Sequence, residues 1–192
     1  MRLRALHPSE LGPAQQAVYD AIVASRGPAV VAPDGTLLGP FNAMLYHPAV
    51  GAPLQAVGGA IRYSGLLPPA ARELAILTVA AAHGAEYEWA HHAPLAVELG
   101  VPAEALEAIR LGRRPELGDA VEEAVVDLTR LLLADEELDD DAYMRAAAVI
   151  GEAGLVELTT LIGYYGTLAT QMRLFRVPLP PGHLPALPPP EG

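Results

Sequence analysis

The sequence predicts an all-α, single-domain protein, and three observations carry that expectation. Apolar residues recur at helical spacing almost throughout; Pro and Gly fall where helices should start and stop; and only residues 29–39 (AVVAPDGTLLG) read as strand-like. At 192 residues and 52% hydrophobic, the chain can bury a substantial core, and no linker divides it.

Pro13 sits at a first helical position, and its helix should run to about Ser25 before Gly27-Pro28 ends it. Residues 29–39 then form a loop or short extended piece with a turn at Asp34-Gly35. Pro40 opens a short helix through Tyr46, Pro48 breaks it, and a further helix carries Leu54, Val57 and Ile61 to about Tyr63; these two should pack as a hairpin. Pro68-Pro69 starts a helix to about Ala82 in which Leu74, Ile76, Leu77 and Val79 leave little polar surface, so it should be the central buried helix. Gly84 ends it, and a helix from about Glu86 to Leu99 follows, closed by Gly100. Pro94 within that span should kink it or mark a new helix near His91, at a cost of about 3 kcal/mol in an interior. Pro102 opens the next helix, two acidic-faced helices span about 119–134 and 140–152, and a last long one spans about 155–175. The helical domain is thus residues 1–177. Residues 178–192, with seven prolines in fifteen positions, should be a disordered tail or an extended arm laid on a neighbour.

The net charge of −11 is local, because residues 116–141 hold eleven acidic groups against Arg130 alone. Such a block is solvated helix surface, and it argues against nucleic acid or an anionic membrane as partner. The start MRLRALHPSEL lacks an apolar signal core, and no run reads as a membrane span, so a soluble cytoplasmic protein is expected.

Missing residue types narrow the chemistry. Cysteine is absent, which excludes thiol–disulfide catalysis. All 12 basic residues are arginine, which excludes a Schiff-base lysine and a lysine-anchored phosphate loop. Ser9, Ser25 and Ser64 are the serines, and none sits in a nucleophile elbow. Acid/base or metal chemistry from His, Glu, Asp, Tyr and Arg remains.

The strongest candidates lie in RELAILTVAAAHGAEYEWAHH, residues 72–92. Glu88 and His92 are four apart, so a helix sets them on one face, in a stripe continued by Leu95 and Leu99. A carboxylate and an imidazole sharing a leucine stripe should be partly desolvated and shifted toward working pH. The plain alternative is a helix-surface ion pair worth a few tenths of a kcal/mol. Tyr87 and Trp89 flank Glu88 and either pack the core or wall a pocket. Arg62 and Arg72 are the guanidinium groups available to a carboxylated substrate. Glu73 should fall in the first turn of its helix, where a carboxylate meets the helix dipole favourably. His91, about 100° round the helix from His92, should face the surface or an interface. Tyr164 and Tyr165 should be packing or interface residues.

The same segment resembles the alkylhydroperoxidase-D and carboxymuconolactone decarboxylase superfamily. Members carry a Glu, eleven residues, Cys-x-x-Cys, three residues and a His; here Glu73, Ala85, Glu88 and His92 keep that frame without either cysteine. RELAIL, EYEW, GPFNAMLYHP at 39–48 and ELTTLIGYYGTLATQMRLF at 157–175 are similar to the cysteine-free branch. The resemblance implies the alkylhydroperoxidase-D helical fold, a trimeric or hexameric homo-oligomer, and Glu73 as a proton relay. It further implies a lyase without cofactor, similar to carboxymuconolactone decarboxylase and acting on a small carboxylated lactone or oxo acid. His92 would be the proton donor, with Glu88 orienting it. Two other readings stay open: a non-catalytic binding protein in which Glu88 and His92 only stabilise their helix, and a metal site from Glu73, Glu88 and His92, which lacks a second histidine.

Overall fold

The computed structural model describes residues 1–134, 136–180 and 182–188. Among the described residues there is no named strand; the extended segment contributes one antiparallel bridge, Val31 to Leu37, around the Asp34-Gly35 turn. The described residues form eight α-helices, α1 (Pro13–Arg26), α2 (Phe41–Tyr46), α3 (Pro48–Tyr63), α4 (Pro69–His83), α5 (Glu86–Glu98), α6 (Ala103–Arg110), α7 (Ala120–Leu133) and α8 (Asp140–Phe175), with short 3-10 turns at Pro8–Glu10 and Pro28–Val30.

Local chemistry sets these bounds. Proline occupies the start of α1, α3 and α4, where its missing N–H is not needed. Asp119 caps α7 by accepting from the Val121 and Glu122 amides, and Asp139 caps α8 by accepting from Ala142. The α5 helix runs through Pro94, so no new helix begins at His91. The two last helices expected from the sequence join end to end, broken at Gly151, whose φ of 73° and ψ of 161° are not helical. A left-handed φ there is open to glycine and strained for other residues.

The α4 helix is the centre, as its apolar composition predicts. Ala71, Ala75, Ile76 and Val79 face one core with Ile22, Leu45, Leu158, Leu161 and Leu168. Leu74 and Leu77 face a second, with Trp89, Ala96, Val101, Ile109 and Val126. It therefore touches α5, α6, α7 and α8, and any polar group on its buried face must find its partner inside the protein.

The proline-rich tail is laid on its own domain, an option the sequence reading did not include. Leu187 is buried in the second core, the Ala186 and Leu187 amides donate to the two oxygens of Glu86, and Arg110 donates to the Ala186 carbonyl. Prolines remove seven of the fifteen backbone donors, and two of the amides that remain, with one leucine, hold the strap on the domain. Residues 181 and 189–192 of the tail lie outside the described residues, as does Asp135 in the acidic block. The expectation of no span-like run also needs correcting: α8 is long and apolar enough to cross a membrane by length and composition. Its inner face packs on α3, α4 and α7.

Helices α2 and α3 form the expected hairpin, and it turns on Gly51, where an added Cβ would overlap the Met44 carbonyl. Backbone cannot yield as a side chain does, so Gly51→Ala should cost about 3 kcal/mol in chemical denaturation. Gly59→Ala, in the same helix with open space around it, should be neutral or stabilise by about 0.5–1 kcal/mol.

Candidate active site

The site begins with three buried ionisable side chains. Glu73 is 2% exposed, Glu88 5% and His92 1%. Glu73 comes from α4 and lies past its first turn, so the helix-dipole role expected from the sequence does not apply. Glu88 and His92 come from α5, one turn apart.

His92 stands between the two carboxylates. Its Nδ1 lies 2.5 Å from Glu73 Oε2, and its Nε2 lies 3.4 Å from Glu88 Oε2. Burial disfavours the imidazolium, but hydrogen bonds to Glu73 and Glu88 and their charges outweigh it, so the His92 pKa is raised above its ordinary 6.5. Burial likewise pushes Glu73 up, while the His92 hydrogen bond and the charges of His92, Arg62 and Arg72 bring it below its ordinary 4.5. Both partners shift toward their charged forms, so His92 is held as a cation beside an anionic Glu73.

Glu88 Oε1 is buried without a hydrogen-bond partner among the described residues, and Glu88 and His92 both line a cavity of about 200 Å³. Phe41, Tyr87, Tyr164, Tyr165 and Leu168 supply its apolar walls, and Arg26 and Arg62 its cations. Tyr165 sets its ring edge-on against His92, at 5.4 Å between centroids. Burial, and then the nearby Glu88, push the Tyr87 hydroxyl up to about 12, so it stays protonated.

The cavity gathers some of the sequence candidates and leaves others out. Arg62 lines it; its recorded contact is the His91 ring nitrogen at 3.4 Å, and no carboxylate is in ion-pair range among the described residues. Arg72 does not line it, standing behind Glu73 with its Nε 3.7 Å from Glu73 Oε1. Trp89 does not line it either: about 100° round α5 from Glu88, it joins Ala93 and Ala96 on the face toward the second core. His91, expected at a surface or interface, is exposed, and it also lines the cavity. Desolvation, with the charges of His92 and Arg62, pushes its pKa down to about 4, so it is neutral there.

Sequence reading missed Arg26 and the cavity roles of Tyr164 and Tyr165. Arg26 ends α1, stacks over Phe41 at 4.8 Å and donates to the Gln55 carbonyl, and nothing in its local sequence sets it apart from other helix-end arginines. No group of three His, Cys, Asp or Glu side chains is disposed to hold a metal ion among the described residues.

The arrangement can move a proton between solvent-shielded groups and hold an anion nearby. A cation shared by two carboxylates is a proton store, and Glu88, which lines the cavity, is its outlet.

Residues 48–131 match the carboxymuconolactone decarboxylase family, a span that includes Glu73, Glu88 and His92. No curated protein matches the chain. Two crystal structures of the debrominase Bmp8 share the fold. The apo form covers 92% of this chain and 91% of its own at 15% identity and a TM-score of 0.65. A cysteine-to-alanine variant in complex with 2,3,4-tribromopyrrole covers 94% and 92% at 15% identity and a TM-score of 0.66.

The raised His92 pKa stabilises the fold fully below pH 6.5, and that contribution fades as pH climbs through the folded value. The lowered Glu73 pKa contributes fully above pH 4.5 and fades as pH falls through its folded value. The stability gap between the wild type and His92→Gln should therefore be widest from pH 4.5 to 6.5, at about 2–4 kcal/mol, and narrow on both sides. Urea titrations across pH test this; a gap independent of pH would contradict the assigned charges.

Proposed function

From the match of residues 48–131 to the carboxymuconolactone decarboxylase family, we propose that the chain is a lyase acting by acid/base chemistry on a small carboxylated lactone or oxo acid. The observation that carries this reading is the buried sequence Glu73, His92, Glu88, whose last two members line a cavity. A pair serving only to stabilise α5 needs neither a third partner from α4 nor a hollow beside it. A shared fold with a protein crystallised with tribromopyrrole is consistent with a small ring compound as occupant.

The chemistry follows from the charges. Arg62 holds the acid, with no protein carboxylate competing for it among the described residues. The bond between the ring carbon and a carboxylate breaks, carbon dioxide leaves, and the electron pair passes into the conjugated carbonyl as a dienolate. A proton then forms the new C–H bond. Both His92 nitrogens face carboxylates, so the proton leaves Nε2 of the His92 imidazolium, is taken up by the Glu88 carboxylate and passes from the Glu88 carboxyl group to carbon, leaving His92 neutral until solvent reprotonates it. This revises the roles expected from the sequence: Glu88 becomes the donor, His92 its supply, and Glu73 the anchor that keeps the imidazole charged and oriented.

Screening lactones and keto acids for carbon dioxide release identifies the substrate. With it, Glu88→Gln and His92→Gln should each lose about 10²–10⁴-fold in kcat while the far-ultraviolet dichroism stays helical. Arg62→Gln should chiefly raise KM. Full turnover by either site variant would overturn the assignment.

A further inference from the structure

One buried group of the cavity has no part in the proton path. Tyr165, on α8, is 3% exposed, and its ring is locked edge-on between His92 at 5.4 Å and Tyr164 at 5.1 Å. Its side chain lines the cavity beside Glu88 and His92. Among the described residues its hydroxyl makes no hydrogen bond, and it is not among the polar atoms sealed from solvent without a partner. A phenol held this firmly normally finds a partner, and here the side open to it is the cavity.

We propose that Tyr165 donates a hydrogen bond to the substrate oxygen on which negative charge grows, so that the site recognises a ring or chain carbonyl as well as the acid. This rests on the reading of the cavity as a site for carboxylated lactones or oxo acids. The proton stays on Tyr165 throughout: the hydroxyl stabilises the enolate oxygen, and Glu88 supplies the proton that reaches carbon. Burial, and then the Glu88 charge, hold the Tyr165 pKa well above 10, which keeps the group a donor. Its fixed ring means the donor need not be reorganised when charge develops, the condition under which such bonds favour the transition state.

Two probes that differ in one oxygen test this, butyrolactone γ-carboxylate and its carbonyl-free analogue, tetrahydrofuran carboxylate. Calorimetric titration of the full chain should give about five- to tenfold tighter binding of the lactone. Tyr165→Phe, which keeps both ring contacts, should bring the lactone to the affinity of the analogue and leave the analogue unchanged. Equal losses for both probes, or no loss for either, would assign Tyr165 a packing role and overturn the proposal while the acid-binding reading stands. If the wild type binds both probes equally, the carbonyl contact is refuted and the Arg62 contact survives. If it binds neither, the reading of the cavity falls, and this proposal with it.

Discussion

The contact between Glu73 and His92 is the constraint on which the rest of the structure turns. It joins the central helix α4 to α5 through two side chains with almost no solvent contact. Removing a carboxylate and an imidazole from water costs several kcal/mol per charge, and only a close partner with the opposite charge offsets it. The pairing therefore fixes how α5 lies on α4, and it fixes the side of α5 that faces the cavity. Once His92 is held on one nitrogen by Glu73, its other nitrogen points at Glu88, and the charge on the ring is set by both. Arg62 and Arg72 lower the Glu73 pKa from outside the trio, so the guanidinium groups on α3 and α4 belong to the same balance.

Helix α5 works because its two faces have separate tasks. Trp89, Ala93 and Ala96 fill the second core against α4, α6 and α7, while Glu88, His91 and His92 face the cavity. The C-terminal strap presses on the first of these faces, with Leu187 in that core and two amides on Glu86 at the first turn. A helix carrying buried charge on one side is thus clamped from the other. Rigid support behind a charged group keeps a 3.4 Å contact such as His92 to Glu88 from opening to water.

Local spacing made part of this legible in the sequence. The helices follow from Pro and Gly punctuation, and α4 announces its central place by having almost no polar face. Glu88 and His92 are readable as a pair because four residues on a helix is one turn. Tyr87 and Trp89 flank Glu88 on opposite sides, and of the two roles the sequence left open for each, the structure gives Tyr87 the cavity wall and Trp89 the core. Glu73 was different. It is buried on another helix, and only the spacing shared with the family frame linked it to His92. Arg26, from α1, and Tyr165, from α8, reach the cavity by tertiary packing alone, and no periodicity within one helix encodes a meeting between distant ones. The strap escaped for a related reason: proline content excludes a helix but does not say which surface the chain will cover.

The absence of both thiols changes what this frame can do, and the structure gives the change a location. Redox chemistry at two cysteines needs sulfur at both positions, close enough to bond to each other. Ala85 occupies one of them and is buried against Ala80 and Ala169, in a contact that leaves an apolar methyl and no reactive group. Glu88 occupies the other, at the cavity wall, with one oxygen toward His92 and one free. A carboxylate cannot cycle through a disulfide, but it accepts and releases protons, and the histidine and glutamate behind it are what a proton carrier needs for resupply. The frame has kept the buried histidine and glutamate and exchanged sulfur for a carboxyl group and a methyl group, which removes disulfide chemistry and leaves an ionisable trio beside the cavity.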